Sequence, residues 1–171
     1  IDVSKRPFEI KTLEKKIKAN SIIIATGASA NRLGIINEEL FWSKGISACA
    51  ICDGATPQFR DAELAVVGGG DSACEEAVYL TKYGSKVNLI VRSNKLKASA
   101  AMADRVLANS KITIHWNTSV KEAIGGDWLE KIRINSPNSI NKEIKVKGLF
   151  YAIGHTPNTS FLEKKISIDD K

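Results

Sequence analysis

The chain has 171 residues, enough for one ordinary domain or for one domain and part of another. Its 43% hydrophobic and 26% charged residues exclude a disordered chain, and no apolar run approaches the roughly 20 residues that a membrane helix requires. The net charge of +6 comes from scattered lysines with no interleaved aromatics and no recognition motif. Nucleic acid and membrane are therefore not expected partners, whereas phosphate groups or an acidic protein would suit a basic face.

The N-terminus shows no signal-peptide pattern. It begins without Met and mid-pattern, as an excised piece would. Phe8 to Lys11 and Ile17 to Ala19 flank a charged turn and are expected to pair as a hairpin. Ser21 to Ala25 is a continuous apolar run, the pattern of a strand buried on both faces, and it ends in Thr26-Gly27-Ala28-Ser29. Residues 30 to 48 read as irregular and linker-like. Leu64 to Val67 is a short apolar strand running straight into Gly68-Gly69-Gly70. A helix is expected after it, with Asp71 or Ser72 as N-cap, Glu75 and Glu76 in the first turn, and Ala73, Ala77 and Leu80 on one face. Gly84 is expected to end that helix as its C-cap. Val87 to Val91 reads as a second buried strand, Ser99 to Ala108 as a second helix and Ile112 to His115 as a third strand. From Val120 the pattern changes. Leu129 to Ile134 and Glu143 to Val146 alternate apolar and polar residues around Ser136-Pro137-Asn138-Ser139, as antiparallel strands do. Leu149 to Ile153 is again a buried strand, ending in Gly154. The order βαβαβ, a β-meander and a returning strand describes an α/β fold with a parallel sheet.

Gly68-Gly69-Gly70-Asp71-Ser72-Ala73 matches G-x-G-x-x-A between a strand and a helix, the context in which that pattern binds a dinucleotide. Gly68 permits the tight turn, and Gly70 lets the backbone approach a pyrophosphate on the helix N-terminus. Ala73 keeps helix and strand close. A plain βα turn is the alternative. The next strand ends in Val91-Arg92-Ser93-Asn94-Lys95-Leu96-Lys97, without the Asp or Glu that would hold a ribose 2′-hydroxyl. Arg92 and Lys97 would pair with a 2′-phosphate, so NADPH is expected over NADH. The bland alternative is a solvated basic loop.

Of three cysteines, two form Cys49-Ala-Ile-Cys52. Without a secretion signal this points to redox or metal chemistry in a reducing compartment rather than to a structural disulfide framework. Asp53 beside the second thiol could move a proton during exchange. A zinc site would need further ligands from Cys74, His115 or His155, which lack a ligand spacing. Cys74 reads as a packed small hydrophobe, and His115 as structural.

Ser47-Ala48-Cys49-Ala50-Ile51-Cys52-Asp53-Gly54 resembles the S-A-C-A-x-C-D-G signature of the low-molecular-weight NADPH-dependent thioredoxin reductases, class II pyridine nucleotide-disulfide oxidoreductases. Ile24-Ala25-Thr26-Gly27-Ala28, the glycine loop with Glu75-Glu76-Ala77, and Gly148 to Asn158 around Ala152-Ile153-Gly154-His155 stand in the family's order. The resemblance covers the whole chain. It implies a Rossmann-like FAD/NAD(P)-binding fold, a parallel sheet with helices and a β-meander in three ββα layers. Residues 1–30 would end a first FAD-domain segment, residues 31–151 would form an NADPH domain with the redox dithiol, and residues 152–171 would begin the return to the FAD domain. The implied activity is reduction of thioredoxin, with electrons passing from NADPH through FAD and the Cys49/Cys52 disulfide. Cys52 would face the flavin, Cys49 would exchange with thioredoxin, and Asp53 would be the acid/base. Gly68, Gly69, Gly70, Asp71, Ser72, Glu75, Arg92, Lys97, Ile153 and Gly154 would contact NADPH; Thr26, Gly27 and Cys52 would contact FAD. A homodimer in the cytoplasm or plastid stroma is the implied working state. The usual H-R-R-x-x-x-R-A motif is here Val91-Arg92-Ser93-Asn94-Lys95-Leu96-Lys97-Ala98. Ser93 and Lys97 replace arginines, which implies weaker discrimination against NADH. The run from Val91 to Arg105 is more similar to plastid and cyanobacterial reductases. Two alternatives share the layout: the flavoprotein partner of a peroxiredoxin system, and an isolated NADP-binding module.

Overall fold

The computed structural model describes residues 1–162 and 165–167. They fall into two compact units, one of residues 1–29 with the described residues from 155 onward, the other of residues 30–154. In the first unit, β1 (Phe8–Lys11) and β2 (Lys16–Ala19) form the expected antiparallel hairpin, with Phe8 opposite Ala19. The expected strand at Ser21 to Ala25 does not form. Residues 21–27 have no regular structure, and Ile23 is 93% exposed. A buried strand needs hydrogen-bonded neighbours and a covering layer on each face. Among the described residues none pairs with this run. β3 (Ala28–Ala30) closes this segment, with its last residue already counted in the second unit.

The second unit begins with two elements in the stretch expected to be irregular, α1 (Glu38–Phe41) and β4 (Ile46–Ser47). They are too short to show a period, and tertiary contacts hold them: Phe41 and Ile46 are buried, and β4 lies beside a strand from the far end of the unit. There follow α2 (Ala50–Asp53), a 3-10 turn at Pro57–Phe59, β5 (Glu63–Val67), α3 (Asp71–Leu80), β6 (Lys86–Ile90), α4 (Ala100–Leu107) and β7 (Ile112–His115). Next come β8 (Ser119–Gly125), β9 (Leu129–Ser136), β10 (Ser139–Lys145) and β11 (Gly148–Tyr151). The chain then returns to the first unit, where β12 (His155–Pro157) joins β3 in a two-stranded sheet.

Five strands make a parallel sheet in the order β4-β11-β5-β6-β7. Its central strands are apolar throughout because each face is covered by a different layer. Ala65, Val67, Leu149 and Tyr151 pack with Val120, Ala123, Leu129 and Ile132 of the antiparallel sheet β10-β9-β8. The alternate residues Leu64, Val66 and Phe150 pack with Ala73, Cys74, Ala77 and Leu80 of α3 and Val106 of α4. Successive side chains of a strand point to opposite faces, so the run between Glu63 and Val67 serves two cores at once. This is the expected α/β architecture in three layers.

Two helix boundaries differ from expectation. Gly70, not Asp71 or Ser72, is the N-cap of α3. The Asp71 carboxylate accepts instead from the Ser99 amide at 2.9 Å and its hydroxyl at 2.7 Å, tying α3 to the N-cap of α4. Glu75 and Glu76 consequently lie beyond the first turn. The helix ends at Leu80 with Thr81 as C-cap. Gly84 sits three residues further on, where its N–H reaches the Leu80 carbonyl at 2.9 Å.

Candidate functional site

The glycine loop follows directly from the end of β5. Gly68 adopts φ +147, and a Cβ there would stand 2.4 Å from the Ala152 carbonyl oxygen and 2.8 Å from the Ala73 Cβ. Only glycine lets β5 turn into α3 this close to the end of β11. A Cβ on Gly70, by contrast, would meet nothing within 4 Å, so the backbone there opens onto free space. That space is a cavity of about 650 Å³. The loop is held by the Gly68 N–H on Ile90 O at 3.1 Å and by the Lys97 N–H on Gly69 O at 2.6 Å.

The cavity brings together Gly68, Gly69, Gly70, Arg92, Lys97 and Ile153 of the sequence candidates. It also takes in residues that no pattern had marked: Asn31 and Arg32 from the stretch read as linker, and Thr118 and Lys121 from the start of the meander. Among the described lining residues are the cations Arg32, Arg92, Lys97 and Lys121, and no carboxylate. Asp71, Ser72, Glu75 and Gly154 do not line it. The Ser99 bonds hold the Asp71 carboxyl below its ordinary range. Ser72 and Glu75 are exposed on α3, and Gly154 is exposed just beyond Ile153 with φ +88. Thr26 and Gly27 lie in the first unit, where the Thr26 hydroxyl donates to Asn158 O at 2.7 Å and Gly27 O accepts from the Asn158 N–H at 3.0 Å.

The wall carrying Arg32 is built in detail. The Asn31 N–H donates to Gly154 O at 3.1 Å, and its side-chain amide to Ile153 O at 3.2 Å. The buried Glu38 carboxylate accepts from the Leu33 and Gly34 amides at 2.9 and 3.2 Å and from the Tyr151 hydroxyl at 2.7 Å. Burial and this bond push the Tyr151 hydroxyl far above the ordinary phenol range. Tyr151 meets the Trp42 ring edge-on at 5.8 Å, and the Arg32 guanidinium lies 3.2 Å from the centroid of the Trp42 ring.

Cys49 and Cys52 are joined as a disulfide at the start of α2. Cys49 is the N-cap, and its sulfur accepts from the Cys52 N–H at 3.2 Å. The Ser47 hydroxyl donates to the Asp53 carboxylate at 2.5 Å and accepts from the Cys49 N–H at 3.0 Å, so Asp53 is wired to the backbone of the first cysteine. Cys52 is exposed and Cys49 half-buried, while the intervening Ile51 is 66% exposed. Ala50 anchors the short helix in the core beside Ala73, Ala77 and Leu80. Cys74 is a free thiol buried in that core, pushed up by burial and then by Asp71. The His115 ring shares a 2.9 Å hydrogen bond with buried Asn88, and burial pushes it down. Among the described residues no group of three His, Cys, Asp or Glu is placed to hold a metal ion.

Residues 1–170 match the family described as pyridine nucleotide-disulphide oxidoreductase. A thioredoxin reductase of Schizosaccharomyces pombe is 52% identical over 99% of this chain and 55% of its own length. The NADPH-dependent thioredoxin reductase 3 of Arabidopsis thaliana is 49% identical over 99% of this chain and 32% of its own. The solved thioredoxin reductase from Giardia duodenalis superposes with a TM-score of 0.86 at 39% identity, over 99% of this chain and 56% of that one. The chain thus spans about half the length of most of the relatives it matches.

Proposed function

The chain belongs to the pyridine nucleotide-disulphide oxidoreductase family, and from that membership we propose that it carries the nucleotide-binding and dithiol steps of an NADPH-dependent thioredoxin-disulfide reductase. The observation that carries the reading is a surface disulfide in the same compact unit as a cation-lined cavity at a glycine loop. The backbone of Gly68 to Gly70 and the start of α3 suit a pyrophosphate. Arg92 and Lys97, with no carboxylate after Val91, suit a 2′-phosphate. Ile153 and Gly154 follow β11 on the other side of β5, where the nicotinamide half would lie. Asp71 fixes the loop by way of Ser99, with Ser72 and Glu75 flanking it on α3.

The flavin meets a different test. Thr26, Gly27 and Cys52 are its candidates, but among the described residues the first unit holds strands and a 3-10 turn and no α-helix. A second glycine loop opening a helix, which would take the flavin's pyrophosphate, is not among them. What this chain's own residues do is exchange disulfides. With the pair reduced, the Cys49 thiolate, stabilised by the Cys52 N–H, attacks the thioredoxin disulfide. One Cys49–thioredoxin bond forms and the thioredoxin disulfide breaks, its leaving sulfur taking a proton for which Asp53 is the candidate donor. The Cys52 thiol then gives up its proton and attacks the Cys49 sulfur as thiolate; the Cys49–Cys52 disulfide re-forms, the Cys49–thioredoxin bond breaks, and the second leaving sulfur takes up that proton, so that thioredoxin departs as a dithiol. A dithiol that must be reduced to act suits a reducing compartment, cytoplasm or plastid stroma, and the working protein on this reading is a homodimer.

Trapping tests the reading on the 171-residue chain. The reduced Cys52→Ser variant is mixed with a thioredoxin that keeps only its attacking cysteine, supplied as the thionitrobenzoate disulfide. Release of thionitrobenzoate with a covalent complex through Cys49 is expected. A Cys49→Ser variant that traps faster than Cys52→Ser would reverse the roles, equal trapping would remove the assignment of attack to Cys49, and no complex from either would sink the proposal.

A further inference from the structure

We infer that Arg32 is a further nucleotide-binding residue, gripping the nicotinamide-side phosphate of the dinucleotide; the inference rests on the NADPH reading and deepens it. The sheet order sets its place. A dinucleotide on this fold lies across the C-terminal ends of the parallel strands. Its adenosine half lies toward β6, which leads to Arg92 and Lys97, and its other half toward β11, which leads to Ile153. Arg32 belongs to the β11 side, because its neighbour Asn31 is bonded to both Ile153 O and Gly154 O. The pyrophosphate sits between the two sides, against Gly68 to Gly70.

The side chain is prepared for an anion. Trp42 covers one face of the guanidinium at 3.2 Å, which fixes its plane while leaving the N–H groups at the rim free to donate. One terminal nitrogen pairs with Glu39 at 3.2 Å, and Glu39 is 82% exposed, so this partner is held only by a surface ion pair of little strength. Leu33, next in sequence, is pinned by Glu38, and Glu38 in turn by Tyr151 at the end of β11. Arg32 is thus clamped on both sides to the strand that carries the nicotinamide half. A merely solvated arginine would need none of this support.

Calorimetric titration of the 171-residue chain with three ligands separates the contacts. NADP+ and 2′-phospho-ADP-ribose carry both bridging phosphates, while 2′,5′-ADP lacks the nicotinamide-side one. Arg32→Gln is expected to weaken the first two about tenfold, the size of one charge-assisted bond, and to leave 2′,5′-ADP unchanged. Arg92→Gln, by contrast, weakens all three. Glu39→Gln, an exposed change that leaves the fold intact, frees the guanidinium and tightens NADP+. Loss of affinity for 2′,5′-ADP in Arg32→Gln, no loss for any ligand, or weaker NADP+ binding by Glu39→Gln would overturn the inference. If the unaltered chain binds none of the three, the NADPH reading itself fails and Arg32 with it.

Discussion

Glu76 illustrates what a single position can hide. On α3 it shares a face with Ala73, Ala77 and Leu80, and Leu80 reaches Gly54 just past α2. One Glu76 carboxylate oxygen is buried without a hydrogen-bond partner, as is the Thr56 hydroxyl. Burial first, and then Glu75, pushes its carboxyl up to about 7 from an ordinary 4.5. The sign follows from linkage. Between those two values the unfolded chain gives up the proton while the folded one keeps it, so native stability falls as pH rises through the window and stays reduced above it. Glu76→Gln, neutral and of the same shape, is expected to lose this dependence. Its urea midpoint should exceed that of the unaltered chain at pH 8 and match it at pH 4. Equal midpoints at both pH values would show that the carboxyl titrates alike in both states. In sequence, Glu76 read only as a helix-start acid, because desolvation is set by whatever packs over a residue and not by its neighbours in the chain.

The elements divide by how their pattern arises. β5, β6, β7 and α3 were legible from Leu64 to Val67, Val87 to Val91, Ile112 to His115 and the Ala73–Ala77–Leu80 face, because two covering layers demand unbroken apolar strands and one-sided helices. Ser21 to Ala25 carries the same apolar signal and forms no strand, since a pattern states a need for partners without supplying them. α1 and β4 carry no sequence pattern for the opposite reason: with no more than four residues each, they owe their shape to Glu38, Phe41 and Ile46 being buried by distant elements. The junction of β5 and α3 is the least replaceable of these features. Gly68→Ala would force a Cβ into the Ala152 carbonyl at a backbone angle that disfavours side chains. It is expected to cost about 2–3 kcal/mol, by overpacking and backbone strain together, read as a lowered urea midpoint with an unchanged m-value. An unaltered midpoint would mean that the loop relaxes freely. The same substitution should weaken binding of 2′,5′-ADP, because the loop amides would be displaced.

At the scale of the molecule, the chain divides into a unit with a complete three-layer core and a smaller one built of hairpin, short strands and an exposed apolar run. The larger unit is expected to bind nucleotide unaided. The 171-residue chain refolded with excess FAD is expected to retain it only substoichiometrically, since the described residues offer one strand–glycine loop–helix cradle, and the proposed NADPH site occupies it. Visible flavin absorbance after gel filtration is the measurement. A full equivalent of tightly held flavin would refute this.

Residue type and short spacing alone disclose a dithiol with two residues between its cysteines and an adjacent carboxylate, a glycine loop between strand and helix, and a cationic strand end without an acid. These are local because covalent reach and backbone turns are local. Tertiary structure alone decided which side chains converge from distant segments. It set Arg32 on Trp42 at the end of β11, brought Lys121 into the same cavity, turned Asp71 to Ser99, and closed the core over Glu76. Nothing in the spacing of those residues records their proximity, because it arises only when the two covering layers fold onto one parallel sheet.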